Sequence, residues 1–307
     1  MKSLVGYTGF VGSNILEKGE FDDLYNSKNI KEAFGTNPDL LVFAGIRAEK
    51  YLANKEPEKD FEIVKEAFNN IQRIHPQKLV LVSTIDVYKK PANVDEDSVI
   101  DIKGLQPYGL NRYRLEQMVE ESNIDSLIIR LPGLYGKNLK KNFIYDLIHI
   151  IPPMLTESKF IELCLKDDFI KSFYKKQDNG FYKCIELTNM QRVELKDYFN
   201  RIGFNALNFT DSRSYFQFYN LKFLWDHIRI ALKHGLKKLN IATEPVSAAD
   251  LYRTIRGEEF NNELNKSVPN YNFKTKYADL FNGQHGYIFD KEFIIDDIKR
   301  FVKKVNL

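Results

Sequence analysis

Short apolar runs alternate with amphipathic stretches through the first 130 residues. Ser3-Leu4-Val5 predicts a buried strand that ends at Gly6, after which Phe10, Val11, Ile15 and Leu16 recur at helical spacing. Residues 23–26, 40–44, 78–83 and 126–130 predict four more strands. The centre of 78–83, Leu79-Val80-Leu81-Val82, is apolar without alternation, as expected of a strand covered on both faces. Phe61, Val64, Ala67, Phe68 and Ile71 set one face of a helix over 60–74, and a second helix runs over 108–121. Strands alternating with helices imply right-handed crossovers and a doubly wound parallel α/β sheet.

Past Gly136 the alternation loses its regularity. The pattern predicts a helix over 140–155 stopped by Pro152-Pro153, and a mixed segment over 156–205 with a hairpin at Asp178-Asn179-Gly180. Beyond it come a helix over 218–234, a strand over 238–242, a helix over 247–255 and a closing helix over 290–305. This divides the chain into a first domain over 1–137 and a smaller α+β region over 138–307, with segments near 205–245 returning to the first sheet.

Composition narrows the function classes. The 307 residues are 43% hydrophobic and 28% charged, enough for a full core without disulfides or a structural metal. Forty-five Lys+Arg against 42 Asp+Glu leave a net charge of +3, too small for an electrostatic nucleic-acid footprint. Cys164 and Cys184 are the only cysteines, and the five histidines lack metal-ligand spacing, so no metal site is expected. No stretch reaches the roughly 18 apolar residues of a membrane span, and no signal-peptide pattern is present. The expectation is a cytoplasmic enzyme or binding protein with no membrane partner.

The chemistry concentrates at strand ends. Gly6-Tyr7-Thr8-Gly9-Phe10-Val11-Gly12 joins strand to helix: Gly6 permits the tight turn, Gly9 a backbone approach to a pyrophosphate, and Gly12 close helix–strand packing. Val82-Ser83-Thr84-Ile85-Asp86 ends the fourth strand, and Pro107-Tyr108-Gly109-Leu110-Asn111-Arg112 opens the next helix. Tyr108 and Arg112, four residues apart, share a helix face, where a phenol beside a fixed cation and a strand-end hydroxyl suits proton transfer during hydride transfer.

These residues resemble the extended short-chain dehydrogenase/reductase family, which includes nucleotide-sugar epimerases, dehydratases and reductases. The likeness rests on Gly6/Gly9/Gly12, Ser83-Thr84 with Val87-Tyr88, Tyr108 with Glu116, Arg130-Leu131-Pro132-Gly133-Leu134-Tyr135-Gly136, and the 213–219 segment. It implies a Rossmann-type dinucleotide-binding domain, an NAD or NADP cofactor, a nucleotide-sugar substrate, and Thr84, Tyr108, Arg112 and Asp86 as catalytic candidates. It places the cofactor against Gly6, Thr8, Gly9, Phe10, Val11, Gly12, Asn26, Ser27, Lys28, Ala44, Gly45, Arg47, Ser83, Tyr108, Arg112, Leu131 and Gly133. Thr84, Asn142 and Arg213 would meet the substrate, the last two at its diphosphate. A homodimer is implied as well, through the helices at 60–74 and 108–121, with Val64, Phe68, Leu115 and Val119 as candidate contacts, although the same apolar stripes would serve equally for packing on the sheet. Gln217, Tyr219 and Trp225 read as structural.

Three departures shape the reading. Arg112 stands where the family pattern Tyr-x-x-x-Lys has lysine; it keeps the charge but releases no proton. Ile85-Asp86 replaces the Asp-Glu pair of dehydratases, which favours reduction or epimerisation over dehydration. The second strand ends in Leu24-Tyr25-Asn26-Ser27-Lys28 without a carboxylate for a ribose 2′-hydroxyl, so NADP is preferred over NAD. The expected function is reduction of a keto-sugar nucleotide with Tyr108 as proton donor. A redox-neutral epimerase holding NAD tightly and a catalytically weak NADP-binding sensor are the competing readings.

Overall fold

Strands with two apolar faces produce a sheet with helices on both sides. The computed structural model describes residues 1–305. Its first elements are β1 (Lys2–Val5), α1 (Phe10–Leu16), β2 (Asp23–Tyr25), β3 (Leu40–Phe43), α2 (Lys50–Lys55), α3 (Pro57–Ile74), β4 (Lys78–Thr84), α4 (Pro107–Glu121), β5 (Asp125–Leu131) and β6 (Gly133–Tyr135). Five of these strands and the late strand Lys238–Asn240 form a six-stranded parallel sheet, in the order 238–240, β5, β4, β3, β1, β2. This is a Rossmann-like α/β fold.

Leu4, Val42, Val80, Leu127 and Ile129 face a layer containing Ile15, Trp225, Ile228 and Ala231, whereas Val5, Leu41, Leu79, Leu81 and Ile128 face α3 and α4. Val64, Ala67, Ile71, Leu115 and Val119 fill that second layer. This corrects the expectation of intersubunit contacts at Val64, Leu115 and Val119: all three are essentially inaccessible, because one apolar stripe per helix is consumed by the sheet. Phe68 is half-buried against the same cluster.

Two further expectations are corrected. The segment read as one helix over 218–234 begins as a strand, Phe218–Asn220, parallel to β6. The Asn220 side chain then accepts the Lys222 N–H at 3.0 Å, and only Leu224–Lys233 is α-helical. The helix expected over 140–155 is confined to Phe143–Ile148.

The chain divides into two compact units, the first comprising residues 1–139, 215–247 and 269–297. The second, residues 140–214, 248–268 and those from 298 on, has its own aromatic core of Phe160, Phe173, Tyr174, Tyr198 and Phe199. Its antiparallel strands Met154–Leu155, Tyr182–Cys184 and Tyr174–Lys176 include the hairpin expected at 178–180. The mixed segment 156–205 also holds two helices, Glu157–Lys166 capped by Thr156 and Asn189–Arg201 opened by a Thr188/Gln191 capping box.

One polar cluster lies inside the first unit. Glu116 on α4 and Arg130 on β5 are 0% and 1% exposed, with Arg130 Nη2 2.6 Å and Nε 3.1 Å from the carboxylate. Ser83 Oγ donates to Glu116 at 2.5 Å, and Arg130 Nη1 donates to the Tyr88 hydroxyl at 2.6 Å. A buried ion pair contributes little over an apolar replacement, but losing one partner strands a charge. Glu116→Gln is therefore expected to cost about 3–5 kcal/mol by urea unfolding. Replacing both residues with apolar side chains of similar volume should recover most of that loss.

Candidate functional site

The glycine turn lies at the carboxyl edge of the sheet, between β1 and α1. Gly6 has φ +90°, and its N–H donates to the Tyr25 carbonyl at 2.7 Å. A Cβ at Gly6 would lie 2.5 Å from the Ala44 oxygen, and one at Gly12 only 2.1 Å from the Gly6 oxygen. Both positions therefore exclude a side chain. At Gly9 a Cβ would meet only the Gly6 oxygen, at 3.2 Å, so this backbone is open above the turn. Thr8 and Gly9 are exposed, Phe10 and Val11 partly buried, and no side chain caps α1. Ala44 is held to β1 through its N–H on the Val5 oxygen at 2.9 Å, with Gly45 exposed next to it. This open backbone cradle fits a dinucleotide pyrophosphate.

The β1–β2 register pairs Val5 with Tyr25 and Ser3 with Asp23, so Asn26 follows at the edge of the turn while Asp22 and Asp23 sit near the strand starts. Asn26 forms a tight turn, its Oδ1 accepting the Lys28 N–H and its own N–H reaching Asn29 Oδ1, both at 2.8 Å. Ser27 and Lys28 are exposed on this turn.

Across the edge, Tyr108 opens α4 beside Thr84 at the end of β4. The approach depends on Gly109: a Cβ there would lie 2.0 Å from the Asp86 oxygen. Composition and motif spacing do not reveal this role, although a glycine in the first turn of a helix is a readable anomaly. Asn54 of α2 caps the arrangement by accepting the Tyr108 N–H at 2.9 Å. Burial pushes the Tyr108 phenol above its ordinary range; Arg112 opposes this, Asp86 reinforces it, and a Thr84 hydrogen bond and Lys50 oppose it more weakly. The phenol is thus protonated at neutral pH, the state of a proton donor.

Arg112 occupies a different position from that of an open cation. Its guanidinium is 5% exposed, lies 4.6 Å from the centre of the Tyr108 ring, and grips both Asp60 oxygens at 2.9 and 3.0 Å. Nη2 also donates to the Arg47 carbonyl at 2.9 Å, so residue 47 engages through its backbone while its side chain is exposed. Asp60 and Lys50 are functional candidates that no sequence motif marks. Lys50 Nζ lies 2.8 Å from Asp86 Oδ1, and the Tyr271 hydroxyl donates to the same oxygen at 3.3 Å. No spacing rule links residues 50, 86 and 271; only the folded chain does.

Ser83 is turned inward onto Glu116, Leu131 is buried at the end of β5, and Gly133 pairs with Phe218. Gln217 is a buried crosslink to the Thr243 and Phe273 carbonyls, the latter at 2.8 Å, and Tyr219 bonds His227 at 2.8 Å. In the second unit, Asn142 caps the helix Phe143–Ile148 through the Tyr145 N–H at 3.0 Å. Arg213, 47% exposed there, forks onto Asp211 at 2.9 and 2.7 Å and meets Glu263 at 3.0 Å. An incoming diphosphate would compete with those carboxylates. Among the described residues there is no cluster able to hold a metal ion and no helix long and apolar enough to cross a membrane.

Residues 18–159 match the NAD dependent epimerase/dehydratase family, a match that begins after the glycine turn. No curated protein matches the chain by sequence. Solved structures share its fold at low identity. RMD from Pseudomonas aeruginosa, complexed with NADPH, is 13% identical with a TM-score of 0.65, covering 99% of this chain and 98% of its own. The dTDP-4-dehydrorhamnose reductase of Bacillus anthracis, in complex with NADP, is 15% identical (TM-score 0.63; 99% and 97% covered). The UDP-glucose 4-epimerase of Thermotoga maritima, with UDP-glucose, is 12% identical (TM-score 0.64; 99% and 98% covered).

The tight seat of α4 makes a direct prediction. Gly109→Ala must move either the helix or the 85–87 turn and is expected to cost about 1–3 kcal/mol, as overpacking does. Urea unfolding checks it; an unchanged midpoint would contradict the close approach.

Proposed function

We propose that this chain is a cytoplasmic NAD(P)-dependent nucleotide-sugar reductase, with NADP preferred, acting on a keto-sugar nucleotide. The observation that carries the reading is a buried Tyr108, seated by Gly109 and Asn54 beside the Thr84 strand end, at the sheet edge that also holds the open glycine turn. Ligands of open α/β sheets bind outside the carboxyl ends of the strands. The NADPH, NADP and UDP-glucose named with the neighbouring structures agree with this chemistry.

Gly6, Gly9 and Gly12, with Thr8, Phe10 and Val11, would present backbone N–H groups to the pyrophosphate, and Ala44 and Gly45 would border it. Ser27 and Lys28 would take a ribose 2′-phosphate. A nicotinamide cofactor bound there supplies the hydride for the carbonyl carbon. Thr84 would orient the carbonyl oxygen, and Tyr108 would give that oxygen its proton, leaving a phenolate beside Arg112 that regains a proton from solvent. Asn142 and Arg213 would hold the diphosphate. A homodimer would form through the outward faces of α3 and α4, where Ile63 is 46% exposed, rather than through the residues facing the sheet.

The test pairs cofactor binding with turnover. NADPH should bind reversibly and more tightly than NADH, and Tyr108→Phe should lower reduction of a 4-keto-sugar nucleotide about 10²–10⁴-fold while weakening NADPH binding far less than it slows turnover. Stoichiometric NAD retained through purification would instead mark a redox-neutral epimerase. Absence of any NAD(P) binding, or hydride transfer indifferent to Tyr108→Phe, would overturn the assignment.

A further inference from the structure

The Arg112 guanidinium lies under the Tyr108 ring, 4.6 Å from its centre. A lysine there would be a small, mobile, titratable charge under Tyr108. Arg112 is none of these: it is permanently protonated and fixed by Asp60 and the Arg47 carbonyl. Its charge on Tyr108 is therefore constant.

A second pair of charges lies on the segments that seat Tyr108. Lys50 begins α2, the helix whose Asn54 caps α4 at Tyr108. Asp86 follows Thr84 in the turn that Gly109 packs against, and its N–H donates to Thr84 Oγ1 at 3.2 Å. The Lys50–Asp86 contact is 2.8 Å, with the side chains 48% and 22% exposed, so it can open where the Arg112–Asp60 pair cannot. Tyr271 steadies Asp86 from a third segment, its ring stacked 6.4 Å from Phe216.

We propose that the Lys50–Asp86 ion pair is the adjustable electrostatic control on Tyr108, with Lys50 as a positioning residue that offsets the carboxylate beside the phenol. The proposal rests on the reading of Tyr108 as proton donor. Asp86 favours the neutral phenol and Lys50 the phenolate, so the two act with opposite sign while paired with each other. Burial pushes the Lys50 ammonium down, but Asp86, Tyr271 and Tyr108 outweigh it and leave the amine raised, hence charged at neutral pH. The groups facing the phenol and this pair are then Arg112 with its partner Asp60, Asp86, Lys50 and Tyr271. A bound anionic group drawing Lys50 away would leave Asp86 uncompensated and hold the proton on Tyr108 until the carbonyl is in place.

The test needs neither cofactor nor substrate. A fluorotyrosine, whose phenol titrates below that of tyrosine, is placed at position 108 by amber suppression and followed by 19F NMR from about pH 6 to about pH 11. Lys50→Gln should raise the midpoint by about one pH unit, Asp86→Asn should lower it, and Lys50→Arg should restore it nearly to the original value. A purely structural role for Lys50 would not produce shifts of opposite sign at the two positions. An unmoved midpoint in Lys50→Gln, shifts in the same direction, or no rescue by arginine would each overturn the proposal. Failure of the reductase reading would appear separately, as absent NADPH binding in the unsubstituted protein.

Discussion

Everything at the sheet edge depends on where α4 is clamped. More than two turns into the helix, Glu116 is bound to Arg130 of β5 and Ser83 of β4 in a site without solvent. At its first turn, Gly109 lies against the Asp86 carbonyl at a distance no side chain tolerates. The helix can neither slide along the sheet without stranding a buried charge nor lift from the 85–87 turn without opening a void. Tyr108 lies at the end of this doubly held lever, which is why its phenol stands beside Thr84.

The same clamp explains why arginine is accommodated at position 112. A guanidinium has donors enough to bind both Asp60 oxygens and the Arg47 carbonyl at once, which an ammonium matches less well in a planar array. The result joins α3, α4 and the loop after β3 in one polar crosslink, to which Asn111 adds bonds to Asp60 at 2.9 Å and the Pro57 carbonyl at 3.0 Å. Arg112 thereby becomes a fixed charge under the Tyr108 ring and a structural tie together. The more exposed Lys50 and Asp86 then remain as the charges near the phenol with freedom to rearrange.

Much of the fold is legible in local pattern. Leu79-Val80-Leu81-Val82 announces a strand covered on both faces, and the stripe from Phe61 to Ile71 announces a helix lying on it. Patterning is less decisive where one signal serves two structures. Phe218-Tyr219-Asn220 continues smoothly into an apolar helical stripe, yet it pairs with β6 because three consecutive buried residues suit a covered strand as well as a helix. Val64, Leu115 and Val119 read equally as sheet-facing or partner-facing, and the sheet takes them. The Thr188-x-x-Gln191 capping box is readable but lies among residues whose apolar spacing carries no periodic signal.

The alternating elements, the glycine turn and the candidacy of Thr84, Tyr108, Asp86 and Arg112 were all present in the order of residues. The elements and the turn follow from the stereochemistry of neighbours within about one helical turn or one strand, and the candidacy of the four side chains from the family resemblance that their motifs carry. What those residues touch came from folding alone. Asp60 is 52 positions from Arg112, Lys50 is 36 from Asp86, and Tyr271 is 185 from the same carboxylate. Contacts of that separation leave no periodic trace, since their geometry is set by how three elements pack and not by the backbone of any one of them.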